Sequence, residues 1–195
     1  MDIQTIEIRQ TFYETLYSLF KLLENGDPSA SQILEGLREL GCVLNTSKII
    51  EEASSEIPQL LGRSIRVELD PATRRLYPTM VNEFYKNAGY DCESDNPDHL
   101  TTMLAFINIL LREEKKAALA GDLDTLKNIR RIQHRFLNVH LIPILKSYRD
   151  RESLKKLLGC IAEYLEKDML VLRDFLIAEA AHPLEASDLV NETRG

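Results

Sequence analysis

The stretch Asp95-Asn96-Pro97-Asp98-His99-Leu100 leads straight into a long apolar-periodic run, and its reading decides the fold. After it, Leu100, Met103, Leu104, Ile107, Leu110 and Leu111 recur every three or four residues. That period places them on one wide face of an α-helix, the pattern of a helix at the centre of a bundle. Asn96 can cap such a helix, Pro97 fits its first position with a preset φ, and Asp98 sits where the helix dipole favours negative charge. The spacing predicts a helix over residues 97–120, stopped at Gly121-Asp122. A cap needs no histidine and no crowd of acids upstream, yet Asp91, Glu93, Asp95, Asp98 and His99 lie together here. A helix start so charged is either a solvated loop or a place where something basic docks.

Outward from this point the chain reads as helices throughout. A first helix is predicted over residues 6–24, with Phe12, Leu16, Leu19, Phe20 and Leu23 on one face, stopped by Asn25-Gly26-Asp27-Pro28. A short helix with Ile33, Leu37 and Leu40 ends at Gly41. A third starts at a Thr46 or Ser47 cap and carries Ile49, Ile50 and Ala53 inward. Residues 64–70 alternate as a strand would, but no second strand signal lies nearby, so a helix is expected. Leu76-Tyr77-Pro78 is expected to break the chain before a helix over residues 79–88, closed by Gly89. Beyond Gly121, Leu126, Ile129, Ile132, Phe136 and Val139 keep the helical period to an end or kink at Pro143. The last helix is predicted over residues 153–181, stopped by His182-Pro183, with a polar tail over 184–195.

The chain has 195 residues, enough for one sizeable core, and is 44% hydrophobic and 28% charged. The expected fold is all-α, a single-domain bundle of roughly eight to ten helices over residues 1–183. The amino terminus has no basic segment followed by an apolar run, and no stretch is long enough to span a membrane. Cys42, Cys92 and Cys160 are odd in number and far apart, with no CxxC pair. They are read as unpaired apolar fillers in a reducing cytoplasm. Net charge is −7, which disfavours a general nucleic-acid binder. Basic residues nonetheless outnumber acids between Arg112 and Lys156, while acids dominate elsewhere.

Motifs of catalysis are missing. None of His99, His134, His140 and His182 has a second ligand at metal spacing, and no GxGxxG, Walker A or GxSxG pattern occurs. Asp98 and His99 are adjacent, so on a helix their side chains diverge and cannot form a dyad. No metal, no cofactor and no enzymatic activity are expected. His140, flanked by Val139, Leu141 and Ile142, reads as a buried residue bonded to backbone.

Two segments carry a family resemblance. Pro97-Asp98-His99-Leu100 resembles the Pro-Asp-His-Leu core of the TorD/DmsD/NarJ family of redox-enzyme maturation chaperones. Phe136-Leu137-Asn138-Val139-His140-Leu141-Ile142-Pro143 resembles that family's Phe-x-x-x-His-Leu-x-Pro segment, in the right order and at a fitting distance. The chain departs from the pattern at Ile144, where an aromatic is usual, and at Met103, where an acid is usual. Asp95 keeps the charge of a common Glu. The resemblance implies an all-helical cytoplasmic protein that binds the precursor of a molybdenum-containing oxidoreductase, including its twin-arginine signal peptide. It places Asp98 and His99 in the peptide-binding groove.

A receptor for such a peptide needs carboxylates for the guanidinium groups and an apolar groove for the hydrophobic segment. Asp95, Asp98 and His99 are the candidates for the first, with Asp91 and Glu93 beside them. Tyr77, Pro78, Leu100 and Phe106 are the candidates for the second. The expected partner is the redox-enzyme precursor, without nucleic acid or stable membrane insertion, for a chain that is a monomer or a homodimer. The alternative is a small all-α regulator that contacts nucleic-acid phosphates through Arg130, Arg131 and Arg135. The acidic helix start, which would repel a polyanion, discriminates against it.

Overall fold

The structure, a computed structural model, describes residues 3–181. Its helices are α1 (Ile3–Glu24), α2 (Ala30–Glu39), α3 (Thr46–Glu56), α4 (Gly62–Ile65), α5 (Pro71–Asn87), α6 (Leu100–Ala120), α7 (Leu123–Phe136), α8 (Ile142–Ser147) and α9 (Glu152–Ala181). A 3-10 turn covers Ile57–Gln59, and a π-helical turn covers Leu137–Leu141. The described residues contain no strand, only an isolated bridge between Leu61 and His99. The expected stop at His182-Pro183 and the tail over 184–195 lie outside the described residues.

The apolar stripe of α6 makes it the central helix. Leu100, Met103, Leu104, Ile107, Leu110 and Leu111 are all buried. α1 lies antiparallel along it, since Asn108 bonds to the Tyr13 carbonyl while Lys115 pairs with the earlier Glu7. Tyr13, Leu16, Leu19, Phe20 and Leu23 of α1 fill the seam. Burying each such side chain contributes about 1.5–3 kcal/mol before the entropy of ordering is counted. Gly121, with φ of 68°, takes the left-handed position that ends α6, and Asp122 caps α7 by accepting from the Thr125 N–H. α7 then returns beside α6, and α9 closes the bundle against α3, α7 and α8. One contiguous apolar cluster results.

Several local expectations are corrected. Asn96 does not cap α6. The helix begins three residues later, and His99 caps it by accepting from the Thr101 N–H. The reason is tertiary: Leu100 donates its N–H to the Leu60 carbonyl, which holds His99 extended against the segment before α4, after a turn that the His99 N–H closes on the Asn96 carbonyl. Pro78 does not break the chain but sits inside α5. Asp70 starts that helix with side-chain bonds to the Ala72 and Thr73 N–H groups, and Tyr77, Val81 and Tyr85 bury one face of it. Docking of that face outweighs the one hydrogen bond that proline removes. Within residues 64–70 only the end of the four-residue α4 is helical. Ile65 is buried while Val67 is exposed, so the alternation does not mark a strand. α3 is capped by Asn45, which accepts from the Lys48 N–H, rather than by Thr46 or Ser47. At Pro143 the chain does not stop. The π-helical turn before it lets the helix continue as α8.

The cysteines are corrected as well. Cys42 and Cys160, 118 residues apart, form a disulfide with Cα atoms 5.9 Å apart, and Cys92 is free. Sequence spacing says nothing of two cysteines brought together by the packing of α9 on the α2–α3 link. The inference of a reducing compartment from unpaired cysteines therefore falls. No described helix is long and apolar enough to cross a membrane.

A second unexpected feature lies inside the bundle. Glu114 is fully buried on α6 and accepts from Arg130 Nε at 2.9 Å, Arg9 Nη1 at 2.7 Å and Gln133 Nε2 at 2.9 Å. Arg9 also donates to Asp168 on α9, and Tyr13 donates to the same carboxylate at 2.8 Å. Burial pushes the Tyr13 hydroxyl pKa well up, and Asp168 beside it adds to that shift. Arg130 is thus committed to the interior, which corrects its assignment as a phosphate contact. Much of the remaining basic excess meets acids from other helices: Arg112 with Glu14, Lys115 with Glu7, Lys146 with Glu166 and Arg151 with Glu56. The uneven charge along the sequence is largely internal complementarity.

Candidate functional site

Residues 88–99 link α5 to α6 and carry the acids. Gly89, with φ of 87°, turns the chain out of α5, and the Tyr90 N–H returns to the Tyr85 carbonyl. Asp91, Glu93 and Asp95 are exposed, and Cys92 is half-buried. The chain then dives inward. Pro97 is buried, and its carbonyl accepts from the Tyr85 hydroxyl at 2.8 Å.

Asp98 has no exposed surface. Its Oδ2 accepts from the Arg63 backbone N–H at 2.8 Å, its own carbonyl accepts from the Gly62 N–H at 2.8 Å, and its Oδ1 lies 3.6 Å from the Arg63 guanidinium. The close approach demands glycine at 62, where a Cβ would meet the Tyr77 ring at 2.3 Å. His99 is also buried. Its Nε2 lies 2.9 Å from the Ile57 carbonyl, which can only accept, so that nitrogen carries the proton. Nδ1 is left to accept from the Thr101 hydroxyl at 2.7 Å and from the Thr101 N–H. Asp98 and His99 therefore pin the loop to the segment over residues 57–63. They are not rim groups, contrary to the expectation that both face a ligand directly.

The other sequence candidates separate in space. Tyr77 is buried with its hydroxyl between Arg66 and His140, and burial pushes its pKa up to about 12. Pro78 is half-buried in α5, and Leu100 is core. Asp95 is exposed on the loop. Phe106 alone borders the apolar cleft next to the acids. His140 is buried as expected, but its partner is the Tyr77 hydroxyl at 3.2 Å rather than backbone. It packs against the rings of Tyr77, Phe84 and Phe136. Burial there, with Arg66 and Arg135 adding repulsion, lowers its pKa from 6.5 to about 4.

The cleft itself has a volume of about 420 Å³. Asp91 and Glu93 stand on one lip, Tyr17 and Lys21 of α1 on the other, with Phe106 and Ile109 of α6 among its apolar lining. Tyr90 sets its ring edge-on to Phe106, with centroids 5.6 Å apart. Lys21 is paired with Glu24 at 2.8 Å. The arrangement joins carboxylates to an apolar wall. No group of side chains suited to a metal occurs among the described residues. Sequence reasoning missed Tyr17, Lys21 and Ile109. Their signals were an aromatic and a lysine one turn apart on α1, and an Ile lying off the main stripe of α6.

Both motif blocks sit on this part of the fold, one pinning the acidic loop and the other packing its second half against α5. Residues 70–147 match the family model described as nitrate reductase delta subunit, the NarJ/TorD-type chaperone family that the two blocks resemble.

Proposed function

We propose that this chain is a cytoplasmic maturation chaperone that binds the precursor of a molybdenum-containing oxidoreductase subunit through its twin-arginine leader. The family match supports the redox-enzyme maturation role, in a family of chaperones rather than catalysts. The observation that carries the finer reading is the cleft in which Asp91 and Glu93 stand beside Tyr17, Phe106 and Ile109. Guanidinium groups are held by exposed carboxylates on the loop, Asp95 included, and the apolar leader segment lies against the aromatic wall. Asp98 and His99 act from beneath by fixing the loop that presents those acids. Tyr77, Pro78 and Leu100 support the same frame without touching peptide.

A labelled leader peptide titrated against the parent and the Asp91→Asn/Glu93→Gln variant, at low and high salt, tests this reading. The variant is expected to bind more weakly at low salt, with a flatter salt dependence, because screened attractions are gone. Equal affinity at both salts would remove the acidic lip from the site. A parent protein that binds a nucleic-acid oligomer more tightly than the leader would favour the regulator instead.

A further inference from the structure

The chain is acidic overall, yet one concavity is lined by Arg63, Pro71, Arg74 and Arg75 with no acid among them. It opens beside the amino-terminal end of α5, where Asp70 commits its carboxylate to the Ala72 and Thr73 N–H groups and the Thr73 hydroxyl. Nε of Arg74 is buried without a hydrogen-bond partner. Among the described residues no carboxylate pairs with Arg74 or Arg75. Of the neighbouring acids, Glu68 pairs with Arg66 and Asp98 with Arg63 itself, which leaves Arg74 and Arg75 uncompensated.

Three guanidinium groups at one small opening repel each other, and the fold supplies no anion for two of them. A guanidinium fork matches oxyanions in bidentate fashion. A carboxylate offers two oxygens and one charge, which one fork satisfies. The two unpaired forks of Arg74 and Arg75 call for an anion with more oxygens and at least two charges. The opening, about 320 Å³, suits such a group rather than a folded segment.

We propose that this pocket binds a diphosphate or polyphosphate group. Arg63 links it to the acidic loop, because its guanidinium also reaches Asp98 and Asn96. A bound phosphate would share Arg63 with the residues that set the start of α6.

Calorimetric titration with pyrophosphate tests the proposal, with inorganic phosphate, sulfate and a glutamate-rich hexapeptide at matched ionic strength as the other arms. Pyrophosphate is expected to bind at least roughly tenfold more tightly than inorganic phosphate, since it engages one more guanidinium. The Arg74→Gln/Arg75→Gln variant should lose roughly 10- to 100-fold in pyrophosphate affinity and keep its helical circular dichroism. If the double variant does not fold, Arg75→Gln at its exposed position carries the test, with a loss of roughly tenfold expected. Pyrophosphate heats no larger than those of sulfate, or undiminished affinity in the variant that folds, would overturn the proposal. Tighter binding of the hexapeptide than of pyrophosphate would overturn the phosphate assignment.

Discussion

Replacing Glu114 by Gln isolates the buried polar network in one atom change. The carboxylate accepts three hydrogen bonds, two of them from the guanidinium groups of Arg9 and Arg130, and has no exposed surface. Glutamine keeps the volume but removes the charge and turns one acceptor into a donor that faces N–H groups. Breaking one side of a buried ion pair costs about 3–5 kcal/mol, because the remaining charge stays buried without compensation. Asp168 still holds Arg9, so the lower half of that range is expected. For 195 residues the unfolding entropy is about 0.4 kcal/mol/K near 60 °C, so the melting temperature should fall by about 7–10 °C. Urea unfolding followed by circular dichroism should show a lower midpoint with an unchanged slope, the mark of lost stability rather than an altered denatured state. Glu113→Gln is the control: its pair with Lys116 is exposed and should contribute less than about 1 kcal/mol. A Glu114→Gln loss no greater than the control's would refute the account of the network as a set of mutually dependent buried charges. Replacing Arg9, Glu114, Arg130 and Asp168 together by apolar residues of similar volume should recover much of the loss, since no buried charge would then remain at those positions.

Three further outcomes follow from the same structure. Reducing the Cys42–Cys160 disulfide, or replacing Cys160 by Ser, should cost about 2–5 kcal/mol for so long a loop. Thiol labelling on a non-reducing gel checks the bond, and equal melting temperatures with and without reductant would count against its role. His140, held near pKa 4 in the fold against 6.5 unfolded, binds its proton more readily when unfolded. Stability should therefore fall as pH drops from 6.5 toward 4, by up to roughly 3 kcal/mol, and His140→Phe should flatten the profile of urea midpoint against pH in that window. Asp98→Asn should lower thermal stability before it touches charge recognition, because the lost group is internal. A variant that keeps its melting temperature and loses only the salt dependence of leader binding would instead put Asp98 at the peptide.

What could be read from the sequence was what local spacing encodes. The stripe of α6, the left-handed Gly121, the Asp122 cap and the inward face of α1 all follow from periodicity and single-residue preferences. Errors arose wherever a distant segment overrode a local signal. Asn96-Pro97 is a sound cap by itself, but the Leu60 carbonyl and the Gly62 N–H take the backbone hydrogen bonds that would start α6 earlier. Pro78 is tolerated because Tyr77, Val81 and Tyr85 are docked on one face of α5. The candidate site was legible in its chemistry, acids beside apolar surface, and partly wrong in its residues. Asp98 and His99 stood out by composition, but nothing local shows that Arg63 and the Ile57 carbonyl claim them. Tyr17 and Lys21 come from the other end of the chain, and only tertiary packing of α1 on α6 brings them to the cleft.

The Arg9 network also sets an order of events during synthesis. Arg9 is made before its partners Glu114, Gln133 and Asp168, which follow it by 105, 124 and 159 residues. At roughly 5–20 residues per second, α1 waits about 8–32 s on the ribosome before the last of them exists. Its apolar seam stays open until α6 is made, and its guanidinium keeps one carboxylate outstanding until α9 arrives. The nascent chain thus docks α1 in two stages, first on α6 and then through Asp168. A stall or truncation between α7 and Asp168 would leave Arg9 and the Tyr13 hydroxyl without their shared carboxylate inside an otherwise formed interface.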